Sequence, residues 1–484
     1  MYDGTCEYRV RASFVVLCAE GPCLLGDEDM RLGSMRWGRA LLRAARYRTA
    51  LRQIGFLLLL VGLFVMSGCS ASSAQVHATP SPKATATPRD PGPQTTDSSL
   101  LYPRHYQGKR VLTLTDFLNQ MISHMSLDEE VGQLLIAQFN DATFSSQDAA
   151  MIRKLHAGGL ILYAISIKKA NQTRSLINAA QGQAKIPLFV MADEEGGFVD
   201  RMTSIYGGRP SASDIGATNS TSYARSQGAK VGRDMGALGF NMDLAPDVDV
   251  QLVAGPDQRT RTFGTTPDQV TRMAGAWLNG LQSQGVVGTL KHFPGLGGAD
   301  HDAHLRLPVI KRSRAQIEAV ELAPYRALID SGKVQAIMPT DLLMPAIDPK
   351  LPAELSPTIM TGILRRELGF NGVVITDALY MAGIREKWDM GQAAVMAIQA
   401  GDDMLLGASS VGAMQAIAKA LKNAVKSHRL TKSRLDESVR RILMLKIRMG
   451  LIKQPKWAAS TMVPAAPAGS TLTLVESEAD TSRP

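Results

Sequence analysis

The sequence predicts an α/β chain closed into a (β/α)8 TIM-type barrel, a single domain between a disordered N-terminal tether and a disordered C-terminal tail. Three observations predict it. Eight short apolar runs alternate with helix-length amphipathic segments over about 300 residues. Charged and polar residues gather just after those runs, where barrel folds carry their sites. No Gly-x-Gly-x-x-Gly follows any run, so the competing fold, an open doubly wound sheet, has no dinucleotide fingerprint to support it.

The chain divides by composition before it divides by structure. Its 484 residues carry a net charge of +9, but residues 1–110 hold 14 Lys/Arg against 8 Asp/Glu. The basicity therefore belongs to the N-terminal segment, and no nucleic-acid partner is indicated. Residues 31–52 carry seven arginines and no acid, and Ile54–Met66 is an apolar stretch too short to span a bilayer. That order is the order of a secretory signal. Met66-Ser67-Gly68-Cys69 follows and resembles a bacterial lipoprotein cleavage box, which makes Cys69 the lipidated first residue of an exported, membrane-anchored protein. An uncleaved anchor or an ordinary secretory signal are the alternatives, and Met30 and Met35 are alternative starts. Residues 1–69 are thus read as a signal segment. Residues 70–110 are a Ser/Thr/Pro-rich linker with few large apolar residues. All four cysteines (Cys6, Cys18, Cys23, Cys69) precede residue 70, which leaves the folded part without a disulfide or a cysteine metal site.

Residues 111–454 carry the barrel pattern. Leu112–Met125 reads as a helix, and Ser126 with the acids at 128–130 reads as a capped helix entry. The strands are expected at Gly132–Phe139, Gly159–Tyr163, Leu188–Ala192, Met242–Ala245, Val286–Leu290, Ala336–Pro339, Val373–Thr376 and Asp403–Leu406. The helices between them are expected at Ser145–His156, Lys168–Ala184, Ser222–Leu238, Pro267–Gln284, Ser313–Asp330, Ser356–Leu368, Met390–Ala400 and Ala413–Ser427. A last helix, Lys432–Met449, closes the domain. Residues 455–484 read as a disordered tail, with no second globular domain after the barrel.

The ends of the expected strands collect the chemistry. Asp193-Glu194-Glu195-Gly196-Gly197 follows the third run, with Arg201 beyond it. Asp247, Asp249 and then Arg261 follow the fourth. Lys291 and His292 follow the fifth and open a glycine-rich loop that carries Asp302 and His304. Asp341 follows the sixth and Asp377 the seventh. Carboxylates mixed with Arg, Lys and His suit a small ligand with many hydroxyls, such as a sugar. Asp377 ends a strongly apolar strand, so it is rigidly held, as a nucleophilic carboxylate must be. A helix cap or an Arg partner is the plainer role for such a residue. Asp302 and His304 stand two apart, so in an extended loop they face one side. The acid orients the ring and favours its protonated form, which suits a general acid that later serves as base. An exposed loop histidine is the plainer reading. A metal cluster of His292, Asp300, His301, Asp302 and His304 is the sharper rival, and the loop offers it no preset ligand geometry.

Together these stretches resemble a known family. Lys291-His292-Phe293-Pro294-Gly295-Leu296-Gly297 with Asp302-Ala303-His304 is similar to the signature of the β-N-acetylglucosaminidase branch of glycoside hydrolase family 3. Asp193-Glu194-Glu195-Gly196-Gly197, Arg261-Thr262-Phe263-Gly264 and Thr376-Asp377-Ala378-Leu379-Tyr380-Met381 match its other landmarks in the same order. The resemblance covers roughly residues 115–450. It implies a TIM barrel and a retaining glycosidase. Asp377 would be the nucleophile and His304 the acid/base, with Asp302 as its partner on a mobile loop. Asp193, Arg201, Arg261, Lys291 and His292 would hold the terminal sugar. Ala303 stands where the family usually has Ser or Thr, Leu296 where His is common, and Glu194 where Gln is frequent.

The resemblance thus implies an exo-β-N-acetylhexosaminidase that removes β-linked GlcNAc from cell-wall or chitin fragments. It would need no metal and no organic cofactor, since double displacement with acid/base help suffices. It would act as a monomer held at the cell surface by its lipid. A β-glucosidase-like specificity, a phosphorylase that uses phosphate instead of water, and a non-catalytic sugar-binding lipoprotein are the other functions considered.

Overall fold

A computed structural model describes residues 113–253, 260–299 and 305–453. The signal segment, Cys69, the linker, the tail beyond Lys453, and Asp300, His301, Asp302, Ala303 and His304 lie outside the described residues. Eight parallel strands close into a barrel, each paired with two neighbours. In chain order the barrel strands are β1 (Leu135–Phe139), β2 (Gly159–Leu162), β3 (Phe189–Ala192), β6 (Met242–Asp243), β7 (Val287–Phe293), β8 (Ala336–Pro339), β9 (Val373–Ala378) and β10 (Met404–Ala408). The two strands between β3 and β6 form a small antiparallel hairpin, β4 (Glu194–Gly196) and β5 (Val199–Asp200). The closing pair is β1 with β10, in which Leu135 faces Leu405. The barrel strands are buried almost throughout, as expected where helices cover the outside and side chains fill the inside.

The helices follow the amphipathic pattern, and polar caps set their starts. Ser126 accepts from the Glu129 N–H while the Glu129 carboxylate takes the Ser126 N–H, so two otherwise orphaned donors are met reciprocally. Thr113/Asp116, Ser145/Asp148 and Asp389/Gln392 repeat the device. Outside the barrel the tightest pair is Thr221–Leu238 against Pro267–Gln282. There Gly228 and Gly280 let the backbones approach, since a Cβ at either would lie 2.0 Å from a carbonyl oxygen of the facing helix.

Four expectations are corrected. The first strand begins at Leu135, because Leu127–Gln133 is helix and its apolar residues pack inward from there. Ser313–Asp330 is two helices, Arg314–Ala319 and Ala323–Asp330, and Pro324 sits in the first turn of the second, where proline is accommodated. The helix expected at Ser356–Leu368 is a wider-turned π-helix over Thr358–Glu367. The fifth strand does not stop at Leu290: β7 runs on through Lys291 and His292 to Phe293, so both polar residues belong to the barrel wall rather than to a loop.

Candidate active site

The site is built on the C-terminal ends of β3, β6, β7, β8 and β9, with the β4–β5 hairpin laid across it. Lys291 is its hub. The Lys291 side chain is 2% exposed, and its Nζ lies 2.8 Å from Asp193 Oδ1 and 2.7 Å from Glu195 Oε1. Burial alone would lower its pKa, but these two carboxylates outweigh that and hold the ammonium charged. Glu195 also takes a two-point bond from Arg261, with Nε to Oε2 and a terminal nitrogen to Oε1, both 2.8 Å. Burial opposes ionisation of Glu195, but Arg261 and Lys291 overcome it and keep it well below the usual carboxylate range. Glycine makes this placement possible. Gly196 and Gly197 both have positive φ, and a Cβ on Gly196 would lie 2.3 Å from the Pro210 carbonyl oxygen.

His292 is held from both sides. Its Nδ1 is 2.8 Å from Asp249 Oδ2, and its Nε2 is 3.3 Å from an Arg261 nitrogen. Burial and then Arg261 push the ring down to about 4, so at neutral pH it is uncharged. With Arg261 donating to Nε2, the ring proton sits on Nδ1 and is donated to Asp249. Asp249 is itself pushed up to about 6 by burial. Asp247, Asp249 and His292 present ligand atoms within 4.8 Å of one another, a group able to take a metal ion. Of the residues expected in a metal cluster, only His292 falls among those described. The donors are a neutral imidazole and two acids of raised pKa, and His292 and Asp249 already use theirs on each other, so the set serves as a hydrogen-bonded support as it stands.

Asp377 is the next-to-last residue of β9, which runs on to Ala378 rather than stopping at Thr376. Its Oδ2 accepts from the Thr340 hydroxyl at 2.9 Å and its Oδ1 from the Ala378 N–H at 2.7 Å. No arginine or lysine pairs with it within salt-bridge distance among the described residues, so the cap-and-partner role does not account for it. Tyr163, on the segment after β2, joins the two halves of the site. Burial raises its hydroxyl pKa first, then Asp193, Tyr380 and Asp377 raise it further. Arg201 lies over the Tyr163 ring at 5.7 Å and 3.9 Å from Asp193 Oδ2. The structure therefore brings Asp193, Arg201, Arg261, Lys291, His292 and Asp377 to one mouth.

The catalytic pair expected on the loop, Asp302 and His304, lies outside the described residues. The segment leading to it is described, and it is not a loose hinge. Leu296 donates its N–H to Asp249 Oδ1 at 2.6 Å, and Gly297 accepts from the Leu252 N–H at 2.9 Å. A Cβ on Gly297 would lie 1.9 Å from the Val250 carbonyl oxygen, so this glycine serves close packing. Three supporting residues were not singled out from the sequence. In the sequence Glu195 is one of three consecutive acids and is not distinguished from Asp193. Thr340 and Glu354 carry no local signal, because what matters about them is their contact with Asp377 across the barrel floor.

The sequence model of the glycosyl hydrolase family 3 N terminal domain matches residues 126–445. The chain is 31% identical over 338 residues to a beta-hexosaminidase A of Pseudoalteromonas piscicida, covering 63% of this chain and 56% of that protein. It is 32% identical over 332 residues to beta-hexosaminidase LpqI of Mycobacterium tuberculosis, covering 66% and 83%. The fold is similar to a solved family 3 beta-N-acetylglucosaminidase from Paenibacillus sp. str. FPU-7, with a TM-score of 0.66 and 34% identity over 72% of this chain and 66% of that one. The chain thus spans little more than half of the first of these relatives. The family match runs from the capped entry of Leu127–Gln133 into the closing helix Lys432–Arg448 and takes in every barrel strand, and on it the chain belongs to glycosyl hydrolase family 3.

Proposed function

We propose that the protein is a retaining exo-β-N-acetylglucosaminidase acting on terminal β-linked GlcNAc of cell-wall or chitin-derived glycans. The observation that carries this reading is Asp377. Its carboxylate stands near the end of β9, oriented by Thr340 and Ala378 with no lysine or arginine paired to it among the described residues, beside a charged cluster suited to sugar hydroxyls. Asp193 and Arg201 keep partial exposure at the mouth and offer an acceptor and a donor to the terminal sugar. Lys291 uses two of its three donors on Asp193 and Glu195, which leaves one for a hydroxyl. In the first step Asp377 attacks the anomeric carbon as protonated His304 gives its proton to the departing oxygen. In the second, neutral His304 takes a proton from water, which attacks the same carbon and releases Asp377. Asp302 orients His304 through both steps.

Aryl β-glycosides of GlcNAc, Glc, GalNAc and Xyl test the reading. The GlcNAc substrate should be preferred, and Asp377→Ala should lose at least about 10⁴-fold in kcat. Hydrolysis that survives Asp377→Ala would sink the assignment. A sugar phosphate formed when inorganic phosphate is added would move the protein to the phosphorylases. The same reading includes export as a lipid-anchored monomer, supported by the arginine-rich start, the apolar core and Cys69.

A further inference from the structure

The floor beneath Asp377 holds more acid than double displacement requires. Asp341 follows β8, Glu354 sits on the short turn Ala353–Leu355, and Asp402 stands two residues before β10; all three are fully buried. Glu354 reaches Asp377 directly, its Oε2 accepting the Asp377 N–H at 3.1 Å. Its other oxygen is buried and has no hydrogen-bond partner among the described residues. The side chains that act on it electrostatically are Asp341, Asp377 and Asp402, all acids. An ionised carboxylate in that company would be costly, so burial first and these neighbours next push Glu354 well above the ordinary range. Glu354 thus serves as an oxygen acceptor on the backbone of Asp377.

Thr340 makes the complementary contact. Its hydroxyl has one proton, and the nearest acceptor is Asp377 Oδ2 at 2.9 Å, against 3.4 Å to Asp341 Oδ1. The Asp377 backbone is fixed from one side and its carboxylate from another, by two residues that are distant in sequence.

We propose that Glu354 is a positioning residue for the nucleophile: its buried oxygen seats the Asp377 backbone while Thr340 seats the carboxylate, so that the attacking group is aligned with no lysine or arginine in salt-bridge distance among the described residues. The proposal rests on the reading of Asp377 as nucleophile. Alignment of a reacting group is worth a great deal, since a displacement of about 1 Å can cost about 10²-fold in rate.

The test compares Glu354→Leu, Glu354→Gln and Thr340→Val in the full-length protein, with Asp377→Ala as reference, on an aryl N-acetyl-β-glucosaminide. Glu354→Leu keeps the volume and removes the acceptor, and kcat should fall by about 10- to 100-fold with KM held. Glu354→Gln keeps an oxygen acceptor without a charge and should restore kcat toward the parent. Thr340→Val should repeat the kcat loss with KM held, and it carries the test if Glu354→Leu does not fold. Parent-like kcat in Glu354→Leu or Thr340→Val beside an inactive Asp377→Ala would overturn the proposal alone. So would equal losses in Glu354→Leu and Glu354→Gln, which would mean that charge rather than placement is what Glu354 supplies. Activity in Asp377→Ala would overturn the nucleophile reading and the proposal with it.

Discussion

Lys291 and His292 are adjacent in sequence and differ in electrostatic character because of what faces each of them. Lys291 meets Asp193 and Glu195 and stays charged; His292 meets Arg261 as well as Asp249, and burial keeps it neutral. This gives a pH prediction with two opposed signs. His292 has a lowered pKa, so the stability tied to it is present above about 6.5 and is lost as pH falls toward about 4. Asp249 has a raised pKa, so its contribution is present below about 3.9 and is lost as pH rises toward about 6. Over that shared window the folded pair holds its proton on Asp249 and the unfolded chain holds it on histidine. The two slopes therefore offset, and stability should change little with pH on account of this pair. Asp249→Asn removes one slope and should leave a protein that loses stability as pH falls from about 6.5 to about 4. Denaturant unfolding across that range, parent beside variant, checks it; parallel curves would contradict the neutral assignment of His292. The sequence made Asp193, Lys291, His292 and Asp377 legible because strand ends in a barrel point at the mouth. It left Glu195 undistinguished from its neighbours, because adjacent acids look alike until the hairpin turns one toward Lys291 and Arg261. Glu194 instead accepts from Arg209 at 2.6 Å and from the N–H groups of Arg201 and Met202, and so serves the hairpin itself.

At the scale of elements, all eight expected strands lie where the barrel has its strands, and the errors cluster at their ends. Apolar runs mark the buried middle of a strand but do not say where backbone pairing stops. β7 illustrates this, since Lys291 and Phe293 still pair with Met338 and Pro339 of β8 although Lys291 and His292 are polar. The β4–β5 hairpin was not legible as strand at all, since three acids and two glycines carry no alternating pattern. Composition alone suggests a loose loop for the glycine-rich stretch. Packing decides otherwise for Gly297, whose missing side chain admits the Val250 carbonyl. The N-terminal segment makes its own prediction. If Cys69 is the lipidated residue, cells fed a radioactive fatty acid should label the protein in the membrane fraction, and Cys69→Ala should abolish the label. A labelled Cys69→Ala protein, or an unlabelled parent, would remove the anchor from the account. Among the described residues no helix is long and apolar enough to cross a membrane.

At the scale of the whole molecule, barrel closure is what makes a site from residues as far apart in sequence as Asp193 and Asp377. The order of strands around the barrel places β3 and β9 on different parts of the wall, and the loops above them converge at the mouth. Tyr163, which is influenced by both Asp193 and Asp377, is a physical sign of that convergence. The central claim is that Asp377 forms a covalent bond to the sugar during turnover. The most direct measurement is to trap that bond. A 5-fluoro N-acetyl-β-glucosaminide with a dinitrophenyl leaving group slows the second step, and mass spectrometry of the digested enzyme then locates the sugar. The account predicts one sugar per chain, attached at Asp377 on the peptide containing Val373–Ala378. A sugar attached to any other side chain would contradict it, as would an untrapped enzyme that releases product with inverted anomeric configuration.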